Sequence, residues 1–214
     1  MKTLIHEEVY RGEKILKKMA EQPFVICGAG AVGSNLVDNM VRQGFAKFTV
    51  IDFDRVDDHN RHTQIWTKRD LGQLKVTVLK NAMYNTREIV INTISSKLEE
   101  SNVAKLLPKG SVVVDGFDNV PSRALVTQHC KTNKIDCLHV GLSQDFAEVV
   151  WNEIYRVPGE GGGPDVCEYP LARNTILMAS TVASEVLVRY VATGVKESYE
   201  ITLGDFKILR MDVP

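Results

Sequence analysis

The sequence predicts an α/β fold: a mostly parallel β-sheet with helices on both faces and antiparallel strands at the C-terminal end. Three observations lead there. Short apolar runs at residues 24–27 and 111–115 have the unbroken hydrophobicity of strands covered on both faces. Stretches with helical periodicity separate the strand-like runs. Near the end, Gly204-Asp205 between two further strand-like runs signals an antiparallel hairpin. At 214 residues, without repeats or a low-complexity linker, the chain is expected to form one domain over residues 1–214 with a sizeable core.

Taken in order, residues 3–20 read as one helix, because Leu4, Ile5, Val9, Ile15, Leu16 and Met19 fall near one face. Pro23 ends it. A strand at 24–27 runs into the glycine loop Gly28-Ala29-Gly30-Ala31-Val32-Gly33, and a helix at 34–43 stops at Gly44. A second strand, 47–51, delivers Asp52 at its carboxyl end. Residues 55–74 lack periodicity and are dense in Asp, His, Asn, Arg and Thr, as functional loops are. A helix at 75–85, a β-branched strand at 88–94 and a helix at 98–107 before Pro108 follow. The strand at 111–115 leads into Gly116-Phe117-Asp118-Asn119, then a helix at 121–131. Strands at 137–140 and 147–156 flank a turn at Ser143-Gln144-Asp145, and PGEGGGP at 158–164 is a loop. The last long helix, 174–193, has Asn174 or Thr175 as its cap and Gly194 as its stop. Strands at 199–203 and 206–211 close the chain around a two-residue turn.

Composition excludes several classes. Hydrophobic residues make up 44% and charged residues 25%, which suits a globular chain and not a disordered one. A net charge of -1 gives no bulk attraction for nucleic acid. Four cysteines, Cys27, Cys130, Cys137 and Cys167, lack CxxC spacing, so no zinc is expected. Residues 176–192 are apolar but carry Glu185 and Arg189, which reads as a core or interface helix and not a membrane span. The first twenty residues are charged and helix-like, unlike a signal peptide, so the cytoplasm is the expected compartment.

Strand, glycine turn, helix, strand and acid together form a Rossmann-like nucleotide-binding unit. Gly28 and Gly30 are expected to tolerate positive φ and to let backbone N–H groups approach phosphate, while Gly33 permits close packing of helix on strand. The helix N-terminus supplies further donors. Asp52 suits ribose hydroxyls. This unit alone leaves NAD and ATP both open.

The residues downstream are more specific: Asp52-Phe53-Asp54-Arg55-Val56 with Asn60 and Gln64, then Asp70-Leu71-Gly72-Gln73-Leu74-Lys75, then Asp115-Gly116-Phe117-Asp118-Asn119 with Arg123. With the glycine loop, these resemble the ThiF/MoeB family, the adenylating fold shared with ubiquitin-activating enzymes, over roughly residues 10–194. The resemblance implies ATP-dependent activation of a carboxylate, giving an acyl-adenylate and pyrophosphate. The substrate would be a sulfur-carrier or ubiquitin-like C-terminus, or a small molecule, as in the member that activates a pyridinol carboxylate in the iron-guanylylpyridinol pathway. In matching positions Gly28, Gly30, Ala31 and Gly33 would cradle the nucleotide and Asp52 would hold the ribose. Asp54, Asn60, Arg61, Gln64, Lys75 and Asn119 would line it, with Asn60 and Lys75 on the phosphates. Asp118 would bind Mg²⁺, a hard cation that prefers oxygen. Arg11 resembles an arginine that reaches into a partner subunit's site, which implies a homodimer.

Plainer alternatives stand beside these. Asp54 also reads as a loop cap that accepts backbone donors, Lys75 as a solvated helix residue, Asp118-Asn119 as a turn and Arg11 as a surface residue. Arg123 reads as the partner of a loop carboxylate. His59 and His62 lack a third ligand at metal spacing. Cys167 occupies the place of a reactive cysteine in sulfur-transferring members, but the residues after it differ, and a structural cysteine is the preferred reading. Thr63 stands where most of the family has arginine, and Ala31 where the loop has a further glycine. Two other functions fit the opening unit: an NAD-dependent oxidoreductase, and a catalytically inert nucleotide-binding partner subunit.

Overall fold

The computed structural model describes residues 2–159 and 170–211. An eight-stranded sheet runs in the order β3-β2-β1-β4-β5-β6-β7-β8. Its parallel half comprises β1 (Pro23–Cys27), β2 (Lys47–Ile51), β3 (Asn92–Ile94), β4 (Val112–Asp115) and β5 (Cys137–Ser143). Three antiparallel strands follow: β6 (Phe146–Trp151), β7 (Tyr199–Thr202) and β8 (Lys207–Arg210).

Alternation along the strands builds two cores. Phe24, Ile26, Val112 and Val114 face one side, and Val25, Cys27 and Val113 face the other. On the first side lie α2 (Glu13–Glu21), α3 (Ala31–Gln43), α4 (Lys75–Arg87) and α7 (Arg173–Thr193). On the second lie α5 (Val103–Leu106) and α6 (Val120–Asn133). Phe24 meets Phe45 edge-on at 5.1 Å, an arrangement aromatic quadrupoles favour. By length and composition α7 could cross a membrane, but half of its apolar window is buried in the domain, where it packs along α3 and β6.

The structure differs from the sequence reading where local polar groups compete with regular structure. The expected first helix divides into α1 (Ile5–Arg11) and α2, because Gly12 adopts φ 85° and caps both. The strand expected from residue 88 is only Asn92–Ile94, since Glu88 ends α4 in the left-handed region. Helix α5 is a single turn, because Asn102 accepts from the Glu99 N–H and donates to the Lys97 carbonyl, building a turn where helix was expected. The strand expected to reach residue 156 ends at Trp151, after which the chain turns back through residues 152–154. Helix α7 starts at Arg173 with Ala172 in the cap position, so neither Asn174 nor Thr175 caps it; Gly194 stops it at φ 78°. The final hairpin pairs Thr202 with Lys207, so residues 203–206 form its loop in place of a two-residue turn.

Candidate functional site

The carboxyl ends of β2, β1 and β4 define the site. Cys27 is in register with Ile51 on one side and Asp115 on the other, so Asp52, Gly28 and Gly116 leave the sheet side by side. At ordinary strand spacing Asp52 and Gly116 stand about 10 Å apart across Gly28. Strand order reverses beside β1, and such a switch point opens a crevice for a ligand.

Gly28 adopts φ 95° and donates its N–H to the Ile51 carbonyl at 2.9 Å. A Cβ on Gly33 would lie 1.9 Å from the Gly28 carbonyl oxygen, so only hydrogen fits where α3 crosses the loop. Gly30 corrects the expectation of positive φ: it sits at φ -79°. Its use is spatial, since a Cβ there would meet nothing within 4 Å and the approach to α3 stays open. Helix α3 begins at Ala31 with no side-chain cap, which leaves its first N–H groups for an anion. A polyphosphate fits this cradle.

Asp52 is buried and divides its carboxylate between two backbone donors: Oδ2 accepts from Ala29 and Oδ1 from Asp54, each at 2.7 Å. Burial pushes its pKa above the ordinary 3.8, opposed by the Ala29 N–H and by Lys75. Each oxygen keeps a lone pair for a hydroxyl donor. Lys75 begins α4; its ammonium is buried and lies 3.0 Å from Asp54 Oδ2. Asp54 therefore holds the lysine, and among the described residues its side chain accepts from no backbone donor that would make it a loop cap.

Residues 57–64 wrap against the start of α3. Asn35 donates to both the Ala31 and Thr63 carbonyls. Asn60 is buried, and its Oδ1 accepts from the Asp57 N–H at 2.9 Å in a capping box. Its amide nitrogen makes no hydrogen bond among the described residues, and so keeps a donor. Arg61 pairs with Asp58, and the Gln64 side chain accepts from Trp66 Nε1. Thr63 carries no charge, but Arg173 at the start of α7 donates to the neighbouring His62 carbonyl at 3.0 Å. A guanidinium therefore stands at this loop, a point the sequence did not disclose.

Beyond β4, Asp118 and Asn119 are exposed. Asn119 caps α6 by accepting from the Ser122 N–H at 3.0 Å. Among the described residues Asp118 contacts only Asn119, at 3.4 Å. An exposed carboxylate with most of its acceptor capacity unused suits a hydrated Mg²⁺. Arg11 lies elsewhere: it bonds Glu7 at 2.5 Å and Glu185 at 2.8 Å within its own chain. His59 stands 3.8 Å from Asp57, and no cluster of three potential metal ligands occurs among the described residues. Cys27, Cys130 and Cys137 are buried, and burial pushes the Cys27 and Cys137 thiols well up. Cys167 lies outside the described residues.

Sequence reasoning missed a buried polar group at the same end of the sheet. Asp115 and His139 are fully buried and 2.9 Å apart. Arg123 does face a carboxylate, Asp115 at 3.9 Å, but its hydrogen bonds go to Tyr155 Oη and the Val140 carbonyl. A histidine inside an otherwise apolar strand, beside a strand ending in aspartate, was the available signal.

Fold and site together define a Rossmann-like α/β protein whose candidate ligand site lies at the sheet's switch point. The chain belongs to the ThiF family, whose model matches residues 4–162. It is 31% identical over 133 residues to the tRNA threonylcarbamoyladenosine dehydratase of Escherichia coli, covering 61% of this chain and 50% of that protein. It is 30% identical over 117 residues to the sulfur carrier protein adenylyltransferase of Thermus thermophilus, covering 54% and 42%. Among solved structures, E. coli MccB superposes with a TM-score of 0.80 at 16% identity, covering 97% of this chain and 69% of MccB. PaaA superposes at 0.75 and 15% identity, covering 93% and 66%. At these identities the structures establish the fold. The chain spans about half the length of the curated relatives it matches first.

Proposed function

We propose that this chain catalyses ATP-dependent adenylation of a carboxylate, releasing pyrophosphate. One observation carries the reading. The uncapped start of α3 follows β1, which is flanked by β2, leading to Asp52 and the Asp54–Lys75 pair, and by β4, leading to the exposed Asp118. Adenylation needs this set: donors for phosphate, a cation for charge in the transition state and an acid for a metal. Relatives named as sulfur carrier protein and molybdopterin-synthase adenylyltransferases support it.

In this reading Asp52 holds the ribose and the loop from Gly28 to Gly33 lies against the phosphates. Lys75 and the Arg173 guanidinium neutralise them, and the Asn60 amide donates to them. Arg61 and Gln64 shape the loop in which Asn60 sits, and Asn119 holds the α6 turn beside the nucleotide. Asp118 would hold Mg²⁺, which when bound neutralises charge on the departing pyrophosphate. The substrate carboxylate attacks the α-phosphorus and the bond to the bridging oxygen breaks, so the chain needs no nucleophile of its own. A homodimer with Arg11 acting across the interface requires the Arg11–Glu185 pair to open.

The test is exchange of labelled pyrophosphate into ATP, driven by a panel of peptides ending in Gly-Gly, amino acids and aromatic acids. Carboxylate-dependent exchange is expected. An oxidoreductase and an inert partner subunit would both show none across the panel.

A further inference from the structure

The polar group around His139 has no part in the roles above. His139 Nδ1 donates to Asp115 Oδ2 at 2.9 Å, and Nε2 lies 2.8 Å from Asn152 Oδ1. The ring stacks on Tyr155, with centroids 3.7 Å apart and planes within 6°. Arg123 donates to Tyr155 Oη at 3.0 Å, and Glu148 on β6 faces both Arg123 and His139. Burying this much polarity costs desolvation that an apolar side chain at 139 would avoid, so stability alone gives no reason for it.

Its direction gives the reason. The other oxygen of Asp115, Oδ1, accepts from the Phe117 N–H at 3.1 Å. The Gly116 N–H donates to the Cys27 carbonyl at 3.0 Å. These two bonds fix the turn that ends at Asp118. Among the described residues Asp118 has one side-chain contact, the 3.4 Å approach of Asn119, so the turn that places its Cα sets the reach of its carboxylate. The backbone is held by Asp115, and Asp115 by His139.

We infer that His139 is a positioning residue for the metal-binding carboxylate: through Asp115 it fixes the Gly116–Phe117 turn and hence the place of Asp118. The inference rests on the adenylation reading and on Asp118 as the metal ligand. Groups that orient a ligand in this way usually change metal affinity or activity by about 10- to 100-fold when removed.

The experiment compares the full chain with His139→Ala and with His139→Asn, whose amide nitrogen replaces Nδ1 as donor to Asp115. Pyrophosphate exchange is measured against ATP and Mg²⁺, and Mn²⁺ binding to the ATP complex is measured by calorimetry. His139→Ala is expected to lower kcat and weaken the Mn²⁺ site, each by about 10- to 100-fold, with the KM for ATP within about threefold. His139→Asn is expected to restore most of both. Unchanged metal binding and kcat in folded His139→Ala overturn the inference, as does failure of folded His139→Asn to restore them. If neither variant folds, Asn152→Ala and Tyr155→Phe replace them, and an undiminished Mn²⁺ site in both overturns it. A wild-type chain that binds Mn²⁺ with ATP yet exchanges nothing overturns the adenylation reading alone, and Mn²⁺ affinity then decides the inference. A wild-type chain that binds no Mn²⁺ with ATP overturns both.

Discussion

Lys75 Nζ lies 3.0 Å from Asp54 Oδ2, and the two side chains are unequally covered: the lysine's is 8% exposed and the aspartate's 49%. Removing the lysine leaves a hydrated carboxylate, while removing the aspartate leaves a buried ammonium. Lys75→Met is therefore expected to change stability by no more than about 1 kcal/mol. Asp54→Ala should cost about 1–3 kcal/mol, because it leaves a buried donor without its partner. Pyrophosphate exchange should fall about 100- to 1,000-fold in Lys75→Met if the lysine meets developing charge. Urea unfolding and the exchange assay separate the two effects. Full exchange in Lys75→Met would remove the lysine from the phosphate site.

The glycine loop offers a sharper contrast. Gly33→Ala places a methyl 1.9 Å from a backbone oxygen that has no room to yield. A loss of about 1–3 kcal/mol is expected, roughly 2–12 °C in melting temperature for a chain of this size. Gly30→Ala places its methyl in open space, so the melting temperature should hold while ATP affinity drops. Calorimetric ATP titration of both proteins checks this. Unchanged ATP affinity in Gly30→Ala would place the phosphates elsewhere.

The centre of the sheet was legible because β1 and β4 are nearly unbroken apolar runs and a glycine turn follows β1. Lys47–Ile51 appears in the structure with the bounds the sequence suggested. Elements failed where one side chain redirected the backbone, as Asn102 does before α5 and Glu88 after α4. In the candidate site, residue types at family spacing pointed to the glycine loop, Asp52, Lys75 and Asp118. What they touch was not legible. The Lys75–Asp54 pair joins residues 21 positions apart, Arg173 reaches a carbonyl 111 positions away and Asp115 meets His139 across 24. Strand pairing and helix packing decide those contacts, and neither leaves a local pattern.

Asp52 gives the site a pH dependence of defined sign. Burial raises its pKa in the folded chain above the ordinary 3.8, so the folded state holds the proton more tightly than the unfolded state. Its contribution to stability is thus most favourable below 3.8 and diminishes as pH rises through the raised value. Asp52→Asn has no such titration. Its melting temperature relative to wild type should climb between about pH 3 and pH 7, over and above any constant offset from altered hydrogen bonding. A flat or falling difference across that range would show that the buried carboxylate is compensated in full by Ala29, Asp54 and Lys75.

Asp118 is the most economical test of the whole assignment, since its exposure uncouples function from folding. The Asp118→Ala substitution removes a carboxylate whose one contact among the described residues is a 3.4 Å approach from Asn119, and α6 keeps its Asn119 cap. Its melting temperature should stay within about 2 °C, as surface substitutions away from caps and cores change stability by no more than about 0.5 kcal/mol. Exchange should nevertheless be abolished at millimolar Mg²⁺. Asp118→Asn, isosteric but with one oxygen and no charge, should retain a trace that grows with added Mn²⁺. Lys75 and the α3 amides remain in both variants, so ATP should bind each with affinity near wild type when metal is withheld. Normal exchange in Asp118→Ala would move the metal to another carboxylate. Asp52 and Asp115 are poor replacements, because their oxygens already accept from Ala29 and Asp54, and from His139 and Phe117.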